Sequence, residues 1–218
     1  MDDVMEHPYF PEELQLPGYV PIFFTPTYIL GVYTAASSLL FLFTWILSGR
    51  CSKITTIDRF LMCWWAFTGL THIVLGGYFI FSPDFYKLKS PVYLAEVLKE
   101  YSKGDSRYVA RNSAVLTLEG ITTLLGGPAS LLAMYAIGAR KPYSYLIQFS
   151  VSLSQLYGDI VYFVTALLDG DNFSASRYYY WAYFVFANSF WVVIPMLIAV
   201  RCWKRITQKI LTEKMKKV

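Results

Sequence analysis

Five long apolar segments dominate the hydrophobic pattern of the chain, and shorter polar stretches separate them. Each segment has about twenty or more residues, enough to cross the hydrocarbon core of a bilayer as a helix, and holds at most one charged or histidine side chain. The segments cover residues 28–47, 60–81, 113–137, 143–168 and 178–200. The pattern therefore predicts an all-α fold, an integral membrane bundle of five transmembrane helices.

The stretches outside these segments divide the chain into three parts. Residues 1–27 are acidic and rich in proline, which predicts an irregular surface segment ahead of the membrane domain, residues 28–203. Residues 204–218 form a basic tail. No basic stretch precedes the first apolar segment, so we expect no signal peptide.

Two local patterns within the membrane domain predict irregular features. In the longest connection, 82–112, apolar residues recur at three-residue steps, at Val92, Ala95, Leu98 and Tyr101. Charged residues lie between them, which predicts a short interfacial helix over 92–101. In the third apolar segment, Gly126, Gly127 and Pro128 predict a kink, because proline removes a helix hydrogen bond.

Composition and charge exclude several classes of protein. The chain is 56% hydrophobic and 16% charged, whereas a soluble domain carries about 25% charged residues. The net charge is +4, without the interleaved basic and aromatic residues of nucleic-acid binders, so we expect no nucleic-acid partner. The three cysteines show no CxxC spacing, which argues against a disulfide framework and against a metal site.

The distribution of charge predicts the orientation in the membrane. The C-terminal residues from Arg201 onward and the connections 48–59 and 138–142 share one side and hold twelve of the nineteen lysines and arginines. The positive-inside rule then places the C-terminus in the cytosol and the N-terminus in the lumen or outside. Lys214 and Lys216 resemble a dilysine-type signal for the endoplasmic reticulum, although an ordinary basic flank explains them equally well.

Four of the predicted helices carry one strongly polar residue at a similar depth. With a rise of about 1.5 Å per residue, His72, Asp159 and Asn188 lie about 14–15 Å from the lumenal helix ends, and Glu119 lies about 9 Å from its own. Polar groups at such depth are costly and suggest function. The shared level predicts one buried pocket between the helices.

Each of these residues also has an ordinary structural explanation. His72 and Asn188 could form interhelical hydrogen bonds. Thr122, one turn from Glu119, could bond to its own helix backbone, and Asp159 could belong to a structural network. Glu119 has the fewest such explanations, because a carboxylate at this depth must be protonated, paired or solvated. An imidazole and a carboxylate facing one apolar cavity suit acid–base chemistry on a lipid-like or cationic ligand.

Six stretches of the sequence resemble one known family, the emopamil-binding proteins. They read HPYFPEELQLPGYVP, LMCWWAFTGLTH, AEVLKEYSKGDSRY, LEGIT, LSQLYGDIVYF and FANSFWVVIP. This family contains the sterol Δ8–Δ7 isomerases of the EXPERA superfamily, and the plant-type members are most similar. The resemblance implies a multi-pass protein of the endoplasmic reticulum membrane, usually a homodimer, that binds sterols and amine ligands and needs no cofactor or metal.

The resemblance also implies a reaction and the residues that perform it. The C8–C9 double bond of a sterol moves to C7–C8 by protonation at C9, a carbocation at C8 and loss of a proton from C7. The family's catalytic positions fall on His72, Glu119, Thr122 and Asn188, and its pocket-lining positions fall on Tyr108 and Trp191. In such a site Glu119 and His72 handle protons, and Trp191 faces the cation. The depth of Asp159 adds this residue as a substrate-binding candidate.

One position departs from the family pattern. The family has a glutamate four residues after the histidine, whereas this chain has Gly76. We expect a gap of one side chain there, which a water could fill, or a substitute carboxylate from Asp159. The alternative is a non-catalytic sterol- or amine-binding receptor or regulator. A small transporter is a weaker alternative, because the chain shows no inverted repeat.

Overall fold

The secondary structure in the described residues, 6–51 and 53–215 of this computed structural model, is entirely helical. Five helices are long and apolar enough to cross a membrane: α1 (Pro26–Ser48), α2 (Thr56–Phe81), α4 (Ser113–Gly138), α5 (Ser144–Leu168) and α6 (Arg177–Glu213). A short helix, α3 (Tyr93–Tyr101), and a 3-10 turn, Phe85–Lys87, lie in the connection between α2 and α4. The predicted all-α bundle of five spans is confirmed. Lys216 of the dilysine-like pattern lies outside the described residues.

Polar side chains at the start of the spans fix where the helices begin. Thr25 accepts a hydrogen bond from the backbone N–H of Tyr28 at the start of α1. Thr55 and Asp58 form a capping box at the start of α2. The Asn112 side chain caps α4 and accepts from the N–H of Ala114 at 2.9 Å. These bonds satisfy donors that the first helical turn leaves free, so the helices start where the sequence turns apolar.

Small residues allow α2 and α4 to approach closely in the middle of the bundle. A Cβ built on Gly69 would lie 3.1 Å from the carbonyl oxygen of Gly127, and a Cβ on Gly127 would lie 3.1 Å from that of Gly69. Such contacts between small residues are typical of helix packing in membranes. The other main contacts are α5 against α6 and α1 against α2. The close approach of α2 and α4 brings the regions of His72 and Glu119 together.

Three of the five spans contain a segment of π-helix. The segments are His72–Gly76 in α2, Thr122–Gly126 in α4 and Tyr180–Ala187 in α6. The kink predicted at Gly126–Pro128 stays a prediction, but the backbone is irregular at this place: the π segment ends at Gly126, and Pro128 stands in the first turn of the helical stretch that follows. The first two π segments begin at predicted site residues, His72 and Thr122, and the third ends beside Asn188. Such segments often occur at functional sites.

The N-terminal segment packs into the protein, contrary to the predicted surface segment. It is irregular, as predicted, but Tyr9 and Tyr19 are only 1% and 2% exposed. They belong to an apolar cluster with Phe79 from the end of α2 and Phe85 from the 3-10 turn. We call the side of the bundle formed by residues 6–24 and 82–112 the N-terminal face. These aromatic side chains close the bundle on this face.

The charged side of α3 is also buried, so the predicted interfacial helix is wrong in this respect. Glu96, Lys99 and Glu100 are at most 1% exposed. The ammonium of Lys99 lies 2.9 Å from the carboxylate of Glu96, and that carboxylate accepts the backbone N–H groups of Phe23 and Phe24. The N-terminal segment covers the charged side of α3, which periodicity alone predicts to be exposed to water.

Loss of the Lys99 ammonium should destabilise the protein more than loss of a comparable surface charge. Lys99→Met leaves Glu96 buried with backbone donors alone, and we expect it to lower the free energy of unfolding by about 2–3 kcal/mol. The matched control is Lys87→Met, because Lys87 and Asp84 form the same i,i+3 pair with side chains 40% and 66% exposed. It should cost less than about 1 kcal/mol. Chemical denaturation of both purified variants gives the comparison, and equal losses would contradict it.

Candidate functional site

Glu119 lies in α4, three residues before the π segment, and a tyrosine holds its carboxyl group. The Tyr108 hydroxyl donates to Oε1 of Glu119 at 2.5 Å. Burial, and then the neighbouring Glu119 carboxyl group, raise the pKa of Tyr108 well above its usual value. The phenol therefore keeps its proton and remains the donor in this bond. One carboxyl oxygen is fixed in this way, and the other points toward α2.

A second tyrosine connects this carboxyl group to Asn188 on α6. The Asn188 amide donates to the hydroxyl of Tyr101 at 3.0 Å and to the carbonyl of Phe184 at 2.8 Å. The rings of Tyr101 and Tyr108 meet edge to face, with centroids 5.0 Å apart. Burial raises the pKa of Tyr101 to about 12, so this phenol is also neutral. Glu119 and Asn188 are thus joined through two tyrosines of the N-terminal face.

The loop that carries Tyr108 is held by a buried ion pair. The guanidinium of Arg107 donates to the carboxylate of Asp105 at 2.8 Å, and the hydroxyl of Tyr162 on α5 donates to the same carboxylate at 2.5 Å. Both charged side chains are buried. The run 103–108 belongs to one of the stretches that resemble the emopamil-binding proteins. Its ion pair therefore holds Tyr108 in place to bond Glu119.

His72 faces an indole ring whose orientation is set by a threonine. The rings of His72 and Trp191 have centroids 6.3 Å apart at an angle of 65°. The indole N–H of Trp191 donates to the hydroxyl of Thr68 at 2.9 Å, and the amide of Gln155 donates to the same hydroxyl at 3.1 Å. Fully buried Thr68 therefore ties α2, α5 and α6 together. Nε2 of His72 is buried and has no hydrogen-bond partner among the described residues.

The space beside Gly76 is occupied, so the expected gap of one side chain is wrong. A Cβ at Gly76 would lie 2.5 Å from the hydroxyl oxygen of Thr123 and 2.9 Å from Oε2 of Glu119. The Thr123 hydroxyl in turn donates to the carbonyl of His72 at 3.0 Å. The π segments of α2 and α4 lie against each other at this point. A glycine at position 76 allows the Glu119 carboxyl group to reach the backbone of α2.

Two predicted site residues are placed differently from the others. The Thr122 hydroxyl donates to the backbone carbonyl of Glu119 at 3.2 Å, which is the ordinary explanation for a helix threonine. Asp159 lies on α5 with Oδ2 buried and without a partner in the described part of the chain. The side-chain hydrogen bonds of the described residues do not join it to Glu119 or His72, which gives no support to Asp159 as a substitute carboxylate.

The sequence alone did not identify Thr68 or Thr123 as residues of this site, nor Tyr101 as the link between Glu119 and Asn188. Thr68 precedes His72 by four residues and lies on the same helix face, so this spacing could have indicated it. Tyr101 stood in the sequence only as a member of the apolar face of α3, which gave no signal for a bridging role. Nothing in the sequence distinguishes Thr123 from its neighbour Thr122, because their directions depend on the π segment.

Comparison with known protein families matches the part of the chain that carries most of these residues. A family model described as EXPERA (EXPanded EBP superfamily) matches residues 93–202, half of the chain. The chain belongs to the EXPERA family. The predicted relationship to the emopamil-binding proteins is thereby confirmed, and the EXPERA match includes Glu119, Thr122, Asn188 and Trp191.

Several plant proteins are similar to this chain over most of its length. A rice protein (Oryza sativa subsp. japonica) named probable 3-beta-hydroxysteroid-Delta(8),Delta(7)-isomerase is 58% identical over 96% of this chain and 96% of its own. An Arabidopsis thaliana protein of the same name is 55% identical, over 93% of this chain and 90% of its own. An isomeliandiol synthase from Melia azedarach is 50% identical, over 83% and 85%. These names describe enzymes, so they give no support to the alternative of a non-catalytic receptor or regulator.

Proposed function

We propose that this chain is a 3-beta-hydroxysteroid Δ8–Δ7 isomerase, which moves the C8–C9 double bond of a sterol intermediate to C7–C8. The observation that carries the proposal is that Oε2 of Glu119 on α4 points toward α2 at Gly76, one helical turn from His72, where the π segments of the two helices lie against each other. Near-full-length similarity to two plant proteins named for this activity supports the same conclusion. An isomerisation of this kind leaves the oxidation state of the substrate unchanged, so proton transfer alone suffices.

The geometry suggests how the two proton transfers are divided. Of Glu119 and His72, one delivers a proton to C9 and the other removes the proton from C7. Tyr108 fixes Glu119 by its hydrogen bond, and the unpartnered Nε2 of His72 is free to exchange a proton. The face of Trp191 stabilises the cation at C8. The aromatic N-terminal face keeps bulk water, which would capture the carbocation, away from this layer.

The remaining predicted site residues take supporting roles in this proposal. Asn188 acts through Tyr101, which it holds against Tyr108. Thr122 fixes the carbonyl of Glu119 at the start of the π segment. Cationic amines should bind beside Trp191, because they carry the positive charge of the intermediate. Asp159 contributes to substrate binding.

The proposal includes the setting of the enzyme. Five apolar helices make it a multi-pass membrane protein, and the lipid bilayer supplies its sterol. We place it in the endoplasmic reticulum with its C-terminus in the cytosol, on the strength of the charge distribution and the resemblance. We also propose that the chain is divided into an N-terminal segment, a membrane domain and a basic tail, at residues 1–27, 28–203 and 204–218. We further propose that the protein is a homodimer.

Expression in a yeast strain that lacks its sterol Δ8–Δ7 isomerase tests the function. We expect Δ8 sterols to disappear and Δ7 sterols to accumulate, as measured by mass spectrometry of extracted sterols. Unchanged Δ8 sterols at a normal level of membrane-inserted protein would overturn the proposal. Tight amine binding by that inactive protein would favour the receptor alternative.

The hydroxyl of Thr68 should matter for catalysis through Trp191. Thr68→Val keeps the shape of the side chain but leaves the indole N–H buried without an acceptor, a change worth about 1–3 kcal/mol. We expect kcat/KM for the Δ8 sterol to fall about tenfold or more. Thr68→Ser retains the hydroxyl and should keep most of the activity. If the serine and valine variants lose activity equally, the hydroxyl does not position Trp191.

A further inference from the structure

The inward face of α5 carries three buried polar atoms that have no hydrogen-bond partner among the described residues. They are Oγ of Ser152, Oε1 of Gln155 and Oδ2 of Asp159. Their spacing of three and four residues places them on one side of the helix. An unsatisfied polar atom is costly inside a membrane, where bulk water is absent. This row of atoms therefore points to a ligand with a polar group.

Gln155 and Asp159 together offer two acceptors to one donor. Gln155 is 8% exposed, and its amide N–H is already engaged with the hydroxyl of Thr68 at 3.1 Å. This bond leaves the amide oxygen free. Asp159 follows one helical turn later, about 6 Å along the axis. Two acceptors one turn apart on the same helix face suit a ligand that carries one small donor group.

The position of these acceptors relates them to the reacting layer. Gln155 is bonded to Thr68, Thr68 is bonded to Trp191, and Trp191 faces His72. A 3β-hydroxysterol has one polar group, on ring A, and its reacting double bond lies at the adjoining ring B. The acceptor of Gln155 is thus linked to His72 through Thr68 and Trp191, as the hydroxyl of such a substrate is linked to its double bond through adjoining rings.

We propose that Gln155 and Asp159 form a subsite for the 3β-hydroxyl of the sterol. The inference rests on the proposed function and extends it by fixing which end of the sterol lies against α5. The hydroxyl donates its proton to one of the two acceptors, and Thr68 keeps the Gln155 amide turned toward it. The subsite selects free sterols over sterols whose 3-hydroxyl is absent or blocked.

The test compares two substrates on each variant of the full-length chain in lipid nanodiscs. We measure kcat/KM for a 3β-hydroxy Δ8 sterol and for its 3-deoxy counterpart. For the natural chain we expect a preference for the hydroxysterol of about tenfold or more, the effect of one buried hydrogen bond. Gln155→Met and Asp159→Leu should each reduce this preference toward one. A ratio of two rates on the same sample does not depend on how much of the variant is folded.

Gln148→Met is the matched control, because Gln148 lies on the same helix face and its side chain is bonded to Ser144 and Trp65 instead. It should keep the full preference. Equal rates for the two sterols on the natural chain, or an unchanged preference in both subsite variants, would overturn the proposal. If the natural chain isomerises neither sterol, the proposed function fails. The affinities of the two sterols for the same variants then test the subsite alone, with the same expected ratios.

Discussion

Glu119→Gln should reduce kcat/KM for the Δ8 sterol by about a thousandfold, within the range seen when an acid–base group is removed. Glutamine has the shape of glutamate and can still accept the hydrogen bond from Tyr108, so the fold should survive. What it lacks is a group that gains and loses a proton. Sterol analysis of purified protein in nanodiscs, with protein amounts matched by absorbance, measures the effect.

Two further variants separate this chemical role from a structural one. Asp84→Asn removes a carboxylate whose side chain is 66% exposed and should leave the rate unchanged. Tyr108→Phe keeps the carboxyl group of Glu119 but frees its orientation, and we expect an intermediate loss. A Glu119→Gln enzyme that retains more than a tenth of the natural activity would exclude Glu119 as a proton donor or acceptor.

Gly76→Glu should impair the enzyme, although it restores the residue of the family pattern. A Cβ at this position would lie 2.5 Å from the hydroxyl of Thr123 and 2.9 Å from Oε2 of Glu119. The new side chain must push both groups aside and break the bond from Thr123 to the carbonyl of His72. We expect a loss of about 1–3 kcal/mol in the free energy of unfolding, typical of overpacking, and at least a hundredfold loss in kcat/KM.

The adjacent glycine provides the control for this prediction. A Cβ at Gly77 would meet only Cγ2 of Thr123, at 3.6 Å, so Gly77→Ala should be nearly neutral while Gly76→Ala is not. Adding Thr123→Ala to Gly76→Ala should recover part of the loss, since residues in contact do not contribute additively. A Gly76→Glu enzyme more active than the natural chain would show that position 76 has room for the family carboxylate.

The features that follow from single-helix properties could be predicted from the sequence. Uninterrupted apolar runs located all five spans, because the bilayer requires their length and hydrophobicity whatever their neighbours are. Depth also predicted that His72 and Glu119 share one layer, and the structure places Oε2 of Glu119 against α2 one turn from His72. The same reasoning grouped Asp159 with them, yet depth does not determine direction, and Asp159 is not joined to them by a hydrogen bond.

The features that depend on contacts between helices could not be predicted. A π segment adds residues to a turn and rotates the helix face beyond it, so ordinary α spacing does not tell that Thr123 and not Thr122 reaches α2. The burial of Lys99 and Glu96 depends on a proline-rich segment that lacks periodicity. The filled space at Gly76 depends on the π segments of α2 and α4, because these set the register at which the two helices meet.

The closed N-terminal face has a consequence for how the enzyme's kinetics should be expressed. Tyr9, Tyr19 and Phe85 seal one end of the bundle, and the cluster around Trp65 and Cys202 fills the other. A sterol therefore reaches the layer of Glu119 sideways, out of the lipid. Its effective concentration is a mole fraction of the surrounding membrane, and a Michaelis constant given per litre of buffer would change with the amount of lipid in the assay.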